Sequence, residues 1–203
     1  MNKRTWLIDS GHGGFINGEY TTAPAKMYRH SPEEVFYEGV FNREIKQGVM
    51  HRAWDLDLEC VDVCATELDL PLSVRVNVIN AIYEKYPNAV LLSLHSNAGG
   101  GTGFEIWTSY GQTRSDAIAQ IVAEQFAGDF QGIKIRSDTS DGDIDKEAAF
   151  YILKHSRCPA VLPECLFYDN YSDYRKLIDP DFKDRYIESL ITAMVRVEAT
   201  LSV

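Results

Sequence analysis

The sequence predicts an α/β fold of three layers, in which a mostly parallel, twisted six-stranded sheet carries helices on both faces. Two observations predict it. Short apolar runs suited to strands alternate with longer segments whose apolar positions recur at helical spacing, and "AVLLSLHS" (89–96) is apolar at nearly every position before His95, as a strand buried on both faces is.

The elements follow in order. "TWLID" (5–9) reads as a strand ended by glycines, and "GVFNREIKQGVMHRAWD" (39–55) as a helix, with Val40, Phe41, Ile45 and Val49 at near-helical spacing. "LECVDVCA" (58–65) is a strand, and "LSVRVNVINAIYEKYP" (72–87) is a helix opened by Ser73 as its cap and stopped by Pro87. After the buried strand 89–96 come a strand over 103–109, an amphipathic helix over 115–128, a strand over 132–137, a helix over 145–156, a strand over 159–167 despite Pro163, and a long terminal helix over 179–201. One hairpin-like pair of strands is expected around the glycines 99–101. The polar, aromatic-rich stretch 15–39 reads as a long loop, and loops of that length inside compact domains are usually functional or disordered.

With 203 residues, 45% hydrophobic and 11% aromatic, the chain is long enough for one sizeable core and too short for two ordinary ones, so residues 1–203 are expected to form a single domain. Thirty acidic against 20 basic residues give a formal charge of -10, and no five-residue basic block occurs, which disfavours nucleic acid or an anionic membrane as partner. "MNKRTWLIDSGHGG" lacks the apolar stretch of a secretory signal, and no segment approaches transmembrane length. A soluble monomer made in the cytoplasm is expected, reaching any target outside the cell by release or by another export route. Cys60, Cys64, Cys158 and Cys165 sit inside apolar runs and read as small buried hydrophobes of a reducing compartment.

In such a fold ligands gather outside the carboxyl ends of the strands. His12, among Gly11, Gly13 and Gly14, follows the first strand; His95 ends the buried one; Glu164 lies within the apolar "PAVLPECLF" (159–167), where a carboxylate is costly to bury alone; and Glu38 stands at the entrance to the first helix. Two imidazoles and one carboxylate form a ligand set of catalytic zinc that keeps a fourth position for water, and a second carboxylate is then needed to take the proton. Each residue has a plainer reading: Gly-His-Gly turns arise without metals, His95 suits a hydrogen-bonded strand end, and Glu38 complements a helix N-terminus. One metal site accounts for all four. The aspartates 138, 141, 143 and 145 lack the spacing of a helix-loop-helix calcium site and read as a solvated loop, with Asp143 or Asp145 capping the next helix. His30, His51 and His155 read as surface residues, and Tyr28, Phe36 and Tyr37 as a trio packed under their own loop.

"IDSGHGG" (8–14), "EGVFNREI" (38–45), "LSVRVNVIN" (72–80), "LLSLHSNAGGGTGFEIW" (91–107) and "PAVLPECLFYDN" (159–170) occur in the order seen in zinc-dependent N-acetylmuramoyl-L-alanine amidases of the type 3 family, which the chain resembles over nearly its whole length. The resemblance implies that His12, Glu38 and His95 hold Zn2+, that Glu164 is the catalytic carboxylate, and that the reaction is hydrolysis of the amide between N-acetylmuramic acid and L-alanine in peptidoglycan. It gives Asn42, Arg75 and Asn97 structural roles, with Asn97 and the neighbouring glycines beside the cleft. Ser10, Gly39 and Leu166 depart from the family, which often has proline, lysine or serine, and glycine there. The loop 15–37 is longer and more aromatic than in many cell-wall amidases and resembles the bacteriophage endolysin branch; wall targeting is expected to reside in this domain or in another protein. The rivals are a zinc hydrolase of soluble muropeptides or another amide, and a glycan-binding module without chemistry, against which the intact four residues count.

Overall fold

A computed structural model describes residues 3–140 and 142–201, and Asp141 of the aspartate loop lies outside the described residues. Its central sheet runs, edge to edge, β6 (Glu59–Asp62), β1 (Thr5–Ser10), β7 (Val90–Asn97), β10 (Ala160–Phe167), β8 (Glu105–Thr108) and β9 (Lys146–Glu147). The first four are mutually parallel, and β8 turns antiparallel to β10 while β9 follows β8. This is the expected three-layer, mostly parallel arrangement. Alternation along the strands sorts the two cores. Trp6, Ile8, Val90, Leu92 and Leu94 face α1 (Glu38–Asp55), α3 (Arg114–Asp129) and α6 (Pro180–Thr200), whereas Leu7, Leu91 and Leu162 face α2 (Leu72–Lys85) and α4 (Tyr151–His155). The start of β1 is tied to the end of α6, where Trp6 Nε1 donates to Glu198 Oε1 (3.0 Å) and Arg4 Nη2 to the Leu201 carbonyl (2.7 Å).

Several expectations are corrected. The segment 132–137 is no strand: Ile135 makes a single bridge to Phe104, because β8 begins one residue later and its remaining edge is taken by β9. That pairing also shortens the helix expected over 145–156 to Tyr151–His155, since Lys146 and Glu147 are extended beside Trp107 and Thr108. Neither Asp143 nor Asp145 caps it: Asp145 is buried and accepts the Thr108 hydroxyl (2.6 Å). Ser73 is not a cap either, as the helix starts at Leu72 behind Pro71 with no side-chain cap. Glycines 99–101 join no hairpin. β10 lies between β7 and β8, and the loop crosses its end, where the amides of Gly99 and Gly100 donate to Asp169 Oδ2 (2.7 and 2.8 Å).

The stretch 15–39 contains two short hairpins, β2 (Phe15–Ile16) with β3 (Glu19–Tyr20) and β4 (Met27–Arg29) with β5 (Val35–Tyr37). Alternation along β5 splits the expected aromatic trio. Phe36 turns inward onto Tyr168, with ring centroids 5.2 Å apart, Tyr37 meets Phe15 and Tyr20, and Tyr28 lies against His30. His30 is more than a surface residue, because its Nε2 donates to the Tyr168 carbonyl (2.8 Å). His51 and His155 are exposed as expected. Cys64, Cys158 and Cys165 are buried, Cys60 is partly so, and all four are free thiols. An unforeseen helix, α5 (Tyr171–Leu177), follows β10 under an Asn170 cap. No helix among the described residues is long and apolar enough to cross a membrane.

Candidate active site

Three side chains from three elements converge at the carboxyl end of the sheet. One ligand atom from each of His12, Glu38 and His95 lies within 4.8 Å of the others. Glu38 Oε1 stands 3.2 Å from His12 Nε2 and 3.0 Å from His95 Nδ1. Donors sharing a tetrahedral zinc at about 2.0–2.1 Å sit about 3.3 Å apart, so these spacings fit. His12 Nε2 and Glu38 Oε2 are buried with no hydrogen-bond partner among the described residues, and an imidazole-carboxylate donor set suits a borderline divalent cation.

The turn after β1 is held by its backbone. His12 has φ 67°, a left-handed conformation that its side chain adopts at some cost, and its carbonyl accepts from both Arg43 Nη1 (2.8 Å) and Arg75 Nη2 (2.9 Å). Asn42 Nδ2 donates to the Gly11 carbonyl (3.1 Å), and Arg75 Nη1 to Ser10 O and Asp9 Oδ1 (2.7 Å each). Asn42 and Arg75 thus have the structural roles expected of them, and Arg43 joins them. Gly11 has to be glycine because the His95 imidazole lies where a Cβ would project. Gly39, a departure from the family, packs against the backbone of Gly13 with no room for a larger residue.

Glu38 opens α1 without a side-chain cap. The long loop supplies what a cap would: the Glu38 amide donates to the Lys26 carbonyl (3.0 Å) and the Gly39 amide to the Tyr20 hydroxyl (3.0 Å). Lys26 also brings its Nζ to 3.8 Å from Glu38 Oε2. Burial pushes the Glu38 carboxyl up, yet its contacts with both imidazoles outweigh this and hold it far below the usual range. Burial lowers His12, favouring the neutral ring that binds metals. At His95 burial acts downward too, but Glu38 and Glu164 prevail and raise it.

Glu164 lies beside His95 on the adjacent strand and beside Glu105 on the next, so the three form one row across β7, β10 and β8. Its pKa is raised to about 7, first by burial and then by the Glu38 charge, against the pull of His95 and Lys26. Its Oε2 is buried without a partner among the described residues. Just beyond, β10 carries an extra residue against β7, and Leu166, another departure from the family, takes φ 59° in this bulge while its side chain is fully buried. Family glycine answers the backbone there; leucine answers the core. A cavity of about 280 Å3 opens next to His12 and His95, lined also by Asp69, Leu70, Leu72 and Arg75. A second cavity, beside Arg4, Pro87, Arg114 and Pro159, has no histidine or carboxylate in its lining.

Residues 7–196 match the family described as N-acetylmuramoyl-L-alanine amidase. The chain belongs to that amidase family. It is 31% identical over 106 residues to N-acetylmuramoyl-L-alanine amidase LytC of Bacillus subtilis (strain 168), a stretch covering 50% of this chain and 20% of LytC. With the uncharacterized protein YqiI of the same strain it shares 25% identity over 199 residues, 94% of this chain and 83% of YqiI. Its fold is similar to the crystal structure of N-acetylmuramoyl-L-alanine amidase from Clostridium difficile 630, with TM-score 0.78 and 24% identity over 100% of both chains. The chain thus spans one fifth of LytC and the whole of the clostridial amidase chain.

Proposed function

We propose that this chain hydrolyses the amide between N-acetylmuramic acid and L-alanine in peptidoglycan, with residues 1–203 as one catalytic domain, Zn2+ held by His12, Glu38 and His95, and Glu164 as the catalytic carboxylate. The observation that carries the reading is the convergence of those three donors within 4.8 Å, with Glu38 Oε1 3.2 and 3.0 Å from the two imidazoles, about the edge length of a tetrahedral site, and a buried carboxylate one strand away. A divalent ion bound there supplies Lewis acidity, bringing a water's pKa to roughly 7 and offsetting negative charge on the carbonyl oxygen. Glu164 takes the proton of the attacking water and returns it to the departing amine nitrogen, a shuttle that suits a group whose pKa is about 7. Arg43 and Arg75 keep the His12 backbone in its left-handed form, and the Tyr20 and Lys26 contacts fix the first turn of α1, so the ligands meet with little rearrangement.

The test joins elemental analysis of protein purified without added metal to incubation with intact sacculi and with small muramyl peptides. One equivalent of zinc and new N-terminal alanine are expected, and Glu164→Gln should keep the metal while losing most turnover. New N-terminal alanine from the small muramyl peptides alone would narrow the substrate to soluble muropeptides. Metal-free protein that binds sacculi without cleaving them would make this a glycan-binding module instead.

A further inference from the structure

Two cations that meet Glu105, one strand beyond Glu164, take no part in the chemistry above. Glu105 is 3% exposed; its Oε1 accepts from Arg136 Nε and from Lys146 Nζ (3.1 Å), and its Oε2 from Asn97 Nδ2 (3.2 Å). One carboxylate is thus shared between two cations. The guanidinium carbon of Arg136 lies 5.1 Å from the centroid of the Phe167 ring, so the group is stacked on one face and anchored at one edge. Its Nη1 and Nη2 have no partner among the described residues, and the side chain is 31% exposed. Lys146 Nζ lies 5.1 Å from the centroid of the Trp107 ring, and Arg136 is the one of the two cations that presents a planar fork without a described partner. A planar fork held in this way matches a carboxylate through two parallel hydrogen bonds.

Its position relative to the reacting centre follows from the sheet. His95, Glu164 and Glu105 are register neighbours on successive strands, each step about 4.8 Å, so His95 and Glu105 are about 10 Å apart. That is about three residues of extended peptide. A substrate whose scissile amide sits between His12, Glu38, His95 and Glu164, with its peptide running toward β8, brings the residues that follow its alanine within reach of the Arg136 fork.

We propose that Arg136, steadied by Glu105 and Phe167 and flanked by Lys146, binds a carboxylate on the peptide side of the scissile amide, so that the enzyme selects stem peptides with a free acid after L-alanine over those with the carboxamide. This rests on the amidase reading. Two synthetic N-acetylmuramoyl-L-alanyl peptides, a monoacid and its primary carboxamide, differ in one charge and little in shape. With the zinc-loaded full chain, the ratio of kcat/KM for acid over carboxamide should be about 10- to 100-fold, the worth of a hydrogen bond to a charged group. In Arg136→Gln the ratio should fall towards one, and Arg136→Lys, which keeps a cation beside Glu105, should retain only part of it. Calorimetry with the L-alanyl product peptides, as acid and carboxamide, reads the same preference without turnover. A wild-type ratio near one, or a ratio unchanged in variants that melt like the parent and keep their zinc, overturns the proposal. Should neither substrate be cleaved while the acid product binds through Arg136, the amidase reading falls and the carboxylate site stands.

Discussion

Replacing Arg75 with methionine tests how the His12 loop is held. Arg75 and Asp9 are each 1% exposed and meet at 2.7 Å, and the same guanidinium serves the carbonyls of Ser10, His12 and Leu70. Methionine fills similar volume but leaves the buried Asp9 carboxylate with only the Ser93 hydroxyl (2.7 Å) as a described side-chain partner. Breaking a buried pair from one side costs about 3–5 kcal/mol. At about 2–4 °C per kcal/mol for a domain of this size, Tm should fall by roughly 6–20 °C, a large share of a typical stability of about 5–15 kcal/mol. Urea unfolding in the presence of a chelator measures this without contribution from bound metal. Adding Asp9→Asn should recover about 2 kcal/mol by removing the stranded charge, whereas Asp9→Asn alone should destabilise. The His12 carbonyl keeps Arg43 as a donor, so metal should still bind, with affinity reduced by about 10-fold. A loss under about 1 kcal/mol in Arg75→Met, or no recovery in the double variant, would refute the claim that this ion pair secures the loop.

Other outcomes follow from the same geometry. Leu166→Gly should relieve about 1 kcal/mol of left-handed strain but forfeit a fully buried side chain worth about 2–5 kcal/mol, so denaturant unfolding should find it less stable by about 1–4 kcal/mol; a gain in stability would mean that the bulge tolerates the lost volume. Gly11→Ala should displace the His95 ring and abolish stoichiometric zinc while circular dichroism stays native. Burial and then Asp143 raise Asp145 to about 7, so the native state binds the proton more tightly than the unfolded chain; its contribution is complete below about pH 4, declines through about pH 7 and amounts to at most about 4 kcal/mol. Asp145→Asn should remove that decline, which a comparison of unfolding at pH 4.5 and 7.5 would detect. The base role proposed for Glu164 requires it ionised, so kcat/KM should fall as pH drops through about 7, or lower once a bound cation favours the carboxylate, and an unchanged acid limb in the residual activity of Glu164→Gln would assign the limb elsewhere.

Four side chains separated by up to 152 positions in the chain were legible because each interrupts a pattern: His12 stands among glycines, His95 and Glu164 break apolar runs, and Glu38 opens a periodic helix. The parallel core strands were legible for the same reason. Edges were not. Lys146 and Glu147 are extended because Trp107 and Thr108 offer them an open edge, a tertiary fact that local periodicity cannot express. Asn170, three residues before Asp173, is a capping signal, but the seven-residue α5 behind it is too short to show a helical period. Lys26, Arg43 and Arg136 act through contacts 12 to 31 residues away in sequence, and nothing in their immediate neighbours marks them.

The tie between the start of β1 and the end of α6 has a practical meaning for anything joined to this chain. Five strand steps separate Thr5 from Ser10, about 17 Å, so residues 4 and 201 lie together at the end of the sheet opposite His12, Glu38 and His95. A tether fixed near either residue would leave the cluster of His12, Glu38 and His95 pointing away from its anchor, and a companion module on a short leash would sit behind the sheet.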